Sequence, residues 1–349
     1  MKNTNMVNAQ SRLDLRFLGV KDVEALVNNR RIFIYGAGRK GIGFCRSLER
    51  NGFNVHGFID KSPLAVNKGV MRKTCFDTNY YFKNVYKQGS DYIFTASVTH
   101  RNAKSLNDTC RNFGLKNEQD FMDSNIISPL YPSVDISGVC NLKCIACPRS
   151  DTLRPLPKGG FMNAEIYKQV LKKLLMEIPF LSSIELFIWG EPLLNPQLPE
   201  ILKINNEFGV DSSLSTNLNY VKHLEDAVEA GFSNMLIACS GYGKKNYEIT
   251  HAGGDWDVLY NNLLLLAEYI KKHNSPLVPV LFYFVTKNNI SEYKDMYELC
   301  KKLGFRLFIS PYLVFADYMM DYAEKREICP SAKMASDLML VHPNEWLKM

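Results

Sequence analysis

Between residues 31 and 113 short apolar runs alternate with amphipathic stretches, and after residue 132 the alternation restarts with a longer count. Short runs rich in β-branched and aromatic residues predict buried strands, and apolar positions three or four apart predict helices. In the first stretch, Arg31–Tyr35 predicts a strand running through Gly36-Ala-Gly38-Arg-Lys-Gly41 into a helix over Lys40–Asn51. Asn54–Asp60 and Tyr92–Ser97 predict further strands, Arg101–Phe113 a closing helix, and Leu13–Val27 a leading one. Strands alternating with helices make parallel βαβ units and a small doubly wound sheet.

The second stretch predicts strands over Ser133–Gly138, Ile184–Trp189, Ser212–Asn217, Asn234–Cys239, Val278–Val285 and Arg306–Pro311. Helices are predicted between them over Ala164–Met176, Leu198–Phe208, Val221–Ala230, Trp256–Lys272 and Ser291–Leu303. Ile166, Val170 and Leu174 mark one apolar face, and Leu259, Leu263 and Leu266 another. Asn163 and Ser291 suit N-caps, while Gly209, Gly231 and Gly304 stand where helices stop. The expected fold is therefore α/β: a partial parallel (β/α)6 barrel preceded by the small doubly wound domain. Asn, Ser and two prolines cluster at Ser124–Pro132, so the expected domains are 1–128, 129–318 and a tail over 319–349.

Composition narrows the class. A 46% hydrophobic and 22% charged chain of 349 residues is that of a soluble globular protein. No run approaches the ~20 apolar residues of a membrane span, and the polar start lacks a signal-peptide core. Nine cysteines, three of them crowded, argue against a disulfide framework and predict a reducing, cytoplasmic setting. The net charge of +6 is spread over pairs such as Lys172-Lys173 and Lys271-Lys272 inside helical patterns, so no nucleic-acid groove is expected.

The crowded cysteines are Cys140, Cys144 and Cys147, directly after the first predicted strand of the second stretch. Three close thiolates can hold an iron–sulfur cube that leaves one iron open. The alternatives are a zinc site or three core cysteines. Zinc needs a fourth ligand, and no histidine lies between His100 and His223. In a parallel barrel the site lies at the C-terminal strand ends. There the sequence places Trp189-Gly190-Glu191-Pro192, then Ser215-Thr216-Asn217, then Ser240-Gly241-Tyr242-Gly243.

Over Tyr131–Leu313 the chain resembles the radical S-adenosylmethionine (SAM) superfamily, in the branch that often carries SPASM or twitch extensions. The resemblance rests on Cys140-x3-Cys144-x2-Cys147, on Phe187-Ile-Trp-Gly-Glu-Pro-Leu-Leu-Asn-Pro196, on Leu214-Ser-Thr-Asn217, and on Ser240 with Tyr247 and Gly253–Val258. It implies a [4Fe-4S] cluster on Cys140, Cys144 and Cys147, with SAM on the fourth iron. Gly190 and Glu191 would face the cofactor's amine, Ser215 and Ser240 would lie near its ribose or carboxylate, and Asn217 would also bind the cofactor. Reductive cleavage to a 5′-deoxyadenosyl radical would follow, with a flavodoxin or ferredoxin as electron donor and a small molecule as substrate. The chain departs from the family pattern at Ala146, Trp189 and Tyr242. Read without the resemblance, Glu191 could be a surface turn residue, and Ser215, Asn217 and Ser240 could simply cap strand ends. Cys239 is a weak candidate hydrogen donor to a product radical; its alternative is a packed core cysteine.

Gly36, Gly38 and Gly41 follow a strand and open a helix, and Asp60 ends the next strand, which is the context of a dinucleotide fingerprint. This unit resembles the Rossmann-like domains appended to sugar-modifying enzymes, which implies a nucleotide or nucleotide-sugar ligand and favours a nucleotide-linked sugar as substrate. A docking or dimerisation module is the alternative, and with it a peptide maturase. A non-catalytic iron–sulfur scaffold or sensor is a third reading. Near the end, Cys329-Pro330 is either a lone thiol or the first ligand of a second cluster.

Overall fold

The computed structural model describes residues 18–128, 131–153, 155–157, 159–312 and 329–339. The start of the predicted Leu13–Val27 helix and most of the 319–349 tail lie outside the described residues. Chain contacts divide the molecule into two units, Met1–Pro129 with Glu177–Phe180, and Leu130–Met176 with Leu181–Met349.

The first unit holds β1 (Arg31–Tyr35), β2 (Val55–Asp60), β3 (Cys75–Asp77), β4 (Asp91–Thr95) and β5 (Phe121–Asp123) in a parallel sheet of order β3-β2-β1-β4-β5. Alternation along the central strands feeds two cores. Ile32, Ile34, Tyr92 and Phe94 pack with Val23, Phe44 and Leu48, whereas Phe33, Tyr35 and Ile93 pack with Tyr81, Phe82 and Cys110. Because both faces are apolar, helices must cover both. The direction of winding reverses between β1 and β4, the position at which open α/β sheets leave a crevice.

The second unit holds β6 (Ser183–Glu185), β7 (Asp211–Thr216), β8 (Asn234–Cys239), β9 (Val280–Val285) and β10 (Arg306–Pro311), also parallel and in the order β10-β9-β8-β7-β6. Five strands thus form the regular sheet where the sequence suggests six. The Ser133–Gly138 segment takes the sixth position as extended chain: Val134 N–H donates to Glu185 O, and Glu185 N–H donates back to Pro132 O. Farther along, Gly138 N–H donates to Gly160 O and Met162 N–H to Ile136 O, which draws the segment away from a continued ladder.

The helices Ala164–Glu177, Leu198–Glu207, Leu224–Ala230, Trp256–Lys272 and Tyr293–Leu303 alternate with the strands. Leu259, Leu263 and Leu266 are buried as their spacing predicts. On the Ala164 helix the buried residues are Tyr167 and Leu171, while Ile166 is exposed. Tyr167 wins the inner face because its hydroxyl donates to Asn205 Oδ1 at 2.7 Å, and Asn205 in turn donates to Ser212 Oγ at 2.8 Å. The Asn163 cap forms, with Oδ1 accepting from Ile166 N–H at 2.8 Å. Ser291 is not a cap: the helix begins at Tyr293 with Glu292 in the cap position.

Candidate active site

The cysteine loop begins where the extended Ser133 segment ends. Asp135 Oδ2 accepts the N–H groups of Trp189 (3.0 Å) and Gly190 (3.3 Å), and Glu191 N–H donates to Val139 O at 2.9 Å. These bonds clamp the loop after β6 onto the start of the cysteine loop. Only glycine fits at 190, because a Cβ there would stand 1.4 Å from the Ser137 carbonyl oxygen.

The segment after β8 holds the same loop farther along. Lys143 N–H donates to Ala252 O (2.8 Å), Ile145 N–H to Thr250 O (3.1 Å), and Cys147 N–H closes a turn on Cys144 O (3.0 Å). All three thiols are free and half-buried. Cys140 Sγ accepts from Leu142 N–H at 3.5 Å and from Asn217 Nδ2 at 3.7 Å. Burial pushes each thiol up, and for Cys144 the neighbouring Cys147 and Cys140 add to it. Thiols in such a setting stay protonated unless a bound metal stabilises the thiolates, so metal uptake there releases protons.

Glu191 is buried at the centre of the strand ends. Its Oε1 accepts from Thr216 Oγ1 (2.8 Å) and Leu193 N–H (3.0 Å), and its Oε2 accepts from Asn217 N–H (2.8 Å). Burial raises its pKa to about 7, against the three hydrogen bonds that favour the carboxylate. Asn217 relays this brace onward, since its side-chain amide reaches both Cys140 Sγ and Asn141 Oδ1 (3.0 Å). The structure therefore brings Cys140, Gly190, Glu191 and Asn217 into one connected network.

Ser240 is buried at the end of β8, its carbonyl accepts from Thr250 Oγ1 at 3.4 Å, and its own Oγ has no partner among the described residues. Ser215 is half-buried and stands outside the Glu191 network. Cys239 is fully buried and its S–H donates to Gly241 O at 3.2 Å, the arrangement of a packed core cysteine. Other members of the site carried weaker signals. Asp135 is the lone acid in an otherwise strand-like run, and Thr216 sits between two flagged residues. Asn219 donates to Tyr247 Oη at 2.6 Å, and the Tyr247 ring stacks on His251 at 4.7 Å. Burial drops His251 to a pKa of about 4, so it is neutral.

In the first unit, Gly36 (φ 112°) and Gly41 meet closely: a Cβ on Gly41 would lie 1.8 Å from Gly36 O. Gly38 precedes the helix Arg39–Arg50 with open space around it. Asp60 turns inward to this loop. Its Oδ2 accepts from Ala37 N–H (2.7 Å) and its Oδ1 from Ser62 N–H (2.8 Å).

Residues 134–300 match the model of the radical SAM superfamily, whose span takes in the cysteine loop and β6 through β9. This segment is a radical SAM domain. For this segment the family implies a [4Fe-4S] cluster and SAM. The chain is also similar to the 7,8-dihydro-6-hydroxymethylpterin dimethyltransferase of Methanocaldococcus jannaschii, 27% identical over 195 residues that make up 52% of this chain. The chain spans 36% of that relative's length. Among solved structures, Streptococcus suis SuiB bound to S-adenosylmethionine overlays with a TM-score of 0.45 at 14% identity, over 65% of this chain and 57% of that one. BtrN in complex with AdoMet and 2-DOIA overlays with a TM-score of 0.32 at 22% identity, over 44% and 57%.

The radical SAM domain suits the implied cluster on two observations. Its donor set is three free thiols on one loop, and buried oxygens without partners, Ser240 Oγ and Asp135 Oδ1, lie on the elements flanking that loop. Among the described residues no three His, Cys, Asp or Glu side chains are arranged to hold a single metal ion. A cube differs in this respect, since each of its cysteines binds a different iron. No helix among the described residues is long and apolar enough to cross a membrane.

Proposed function

We propose that Cys140, Cys144 and Cys147 hold the [4Fe-4S] cluster and that SAM binds at the strand ends beside Gly190, Glu191, Asn217 and Ser240. When bound, the cluster supplies the electron that cleaves SAM to methionine and a 5′-deoxyadenosyl radical, which abstracts hydrogen from the substrate. The chain's own part is to bind, orient and exclude water. Asn217 donates to the Cys140 sulfur, and Glu191 fixes Asn217 and Thr216 from behind. Glu191 is thereby a brace for the third strand end, because its three acceptor contacts are to the protein itself. Ser240 Oγ has no partner among the described residues and is free for a hydrogen bond from the cofactor. A one-electron donor of the flavodoxin or ferredoxin kind completes the system, and the setting is cytoplasmic.

The observation that carries this reading is the hydrogen-bonded path from Glu191 through Asn217 to Cys140. Anaerobic reconstitution should load about four irons and four sulfides per chain on this reading, and a reductant should then release 5′-deoxyadenosine from SAM. A loaded chain that leaves SAM intact sinks it.

For substrate we favour a small polar metabolite, in particular a nucleotide-linked sugar held by the first unit at Gly36–Gly41. The support is the glycine turn ahead of the Arg39–Arg50 helix, whose first N–H groups suit a phosphate. One observation favours a second reading. Asp60 spends both oxygens on Ala37 and Ser62, so it braces the turn itself, as a module that docks a peptide would allow. A nucleotide-sugar panel against the full chain separates them: a specific ligand raises the melting temperature by mass action, and a peptide-docking unit gives no such rise.

A further inference from the structure

Tyr312 follows β10 directly and lies in a small apolar cluster with Ile145, Cys329, Ala332, Ala335 and Met339, against which Ala146 also packs. Ile145 and Ala146 are the two residues between Cys144 and Cys147, so the Tyr312 ring sits on the cysteine loop itself. The helix Pro330–Leu338 helps to bury it. That helix is fastened by Ser331 Oγ donating to Ser150 O (3.1 Å) and by Lys287 N–H donating to Leu338 O (3.1 Å). Tyr312 is 6% exposed, and its hydroxyl is buried without a hydrogen-bond partner among the described residues.

A buried phenol normally finds an acceptor, and leaving one unmade costs about 1–3 kcal/mol. The loop on which the ring packs carries the Cys144 and Cys147 sulfurs on either side of Ile145 and Ala146. Burial, first of all, keeps the phenol neutral, so its O–H has a hydrogen to donate.

We propose that Tyr312 is a positioning residue for the cluster: its hydroxyl donates a hydrogen bond to sulfur on the Cys144–Cys147 side, favouring the reduced state. This inference rests on the cluster assignment above. A hydrogen bond to a cluster sulfur stabilises the added negative charge and raises the potential. Tyr312 thus ties the last strand of the barrel and the Pro330–Leu338 helix to the redox centre.

The experiment uses the full chain reconstituted anaerobically, as wild type and Tyr312→Phe. Iron, sulfide and the spectrum of the reduced cluster come first. A wild type that binds no cluster defeats the cluster assignment and not this proposal in particular. With both chains loaded, potentials are titrated without SAM. Tyr312→Phe should lower the reduced-to-oxidised ratio at fixed potential by about three- to tenfold, tenfold being 59 mV for one electron. Equal potentials overturn the proposal. A chain carrying 3-fluorotyrosine throughout keeps every ring and makes the phenol a stronger donor, so its potential should rise. No movement there overturns the proposal, whatever Tyr312→Phe does to cluster loading.

Discussion

The buried Glu191 carboxylate makes a pH dependence that one substitution isolates. Its pKa is about 7 in the folded chain against an ordinary 4.5, with burial as the cause. A carboxyl raised in this way stabilises the fold fully below pH 4.5 and loses that contribution as pH rises through about 7. Between pH 5 and pH 8 the loss works out to about 2–3 kcal/mol, because each pH unit between those two pKa values removes roughly 1.4 kcal/mol. Other groups titrate in the same window. His251, lowered by burial to about 4, acts with the opposite sign, because its contribution is present above 6.5 and is lost toward pH 4. Wild-type stability alone is therefore ambiguous, and the difference from Glu191→Gln is diagnostic. Glutamine resembles the neutral acid that wild type carries at pH 5, with an NH2 where the acid has its O–H, and it cannot ionise. Urea unfolding of the cluster-free chain should show wild type losing about 2–3 kcal/mol relative to the variant between pH 5 and pH 8, because only wild type ionises there. A difference that is the same at both pH values would refute the reasoning, since Glu191 would then titrate alike folded and unfolded.

Further outcomes follow from the same geometry. Cys144→Ala should abolish 5′-deoxyadenosine formation and leave the reconstituted chain short of iron, both read directly on the purified protein. Gly190→Ala drives a Cβ into the Ser137 carbonyl at 1.4 Å, so the backbone must shift; the cost is on the order of 3 kcal/mol, seen as a lower urea midpoint. Replacing His251 by Phe keeps the stack on Tyr247 and removes the imidazole, so the acid-side loss of stability between pH 6.5 and pH 4 should flatten in a melting series.

Local chemistry was legible in the sequence and long-range choices were not. The Asn163 cap formed because it needs only an amide three residues ahead. Ser291 offered the same local signal and lost. Glu292 beside it accepts Tyr242 N–H (2.8 Å) and Asn246 Nδ2 (2.6 Å), and those distant partners set where the helix starts. Ile166 likewise yielded the inner face to Tyr167, whose hydroxyl has an acceptor in Asn205 that no periodicity announces.

The third strand end carries the sharpest case. Ser215 and Asn217 stand out in the sequence, yet the hydroxyl that reaches Glu191 belongs to Thr216 between them. Adjacent strand side chains point to opposite faces, so a choice off by one residue exchanges the site for its reverse side. Sequence settles that parity where one face of a strand is wet and polar. In β7, Asp211 through Leu214 are all buried, and Ser212, Ser213 and Ser215 place hydroxyls on both faces. The period-two signal is gone, so only the partner can decide which hydroxyl is used. Glu191 decides it, and a carboxylate fixed by Thr216 and the Asn217 amide leaves the Asn217 side chain facing Cys140. The cysteine triplet was legible because its three residues are local in sequence. The brace behind it was not, because it exists only once β6 and β7 lie side by side.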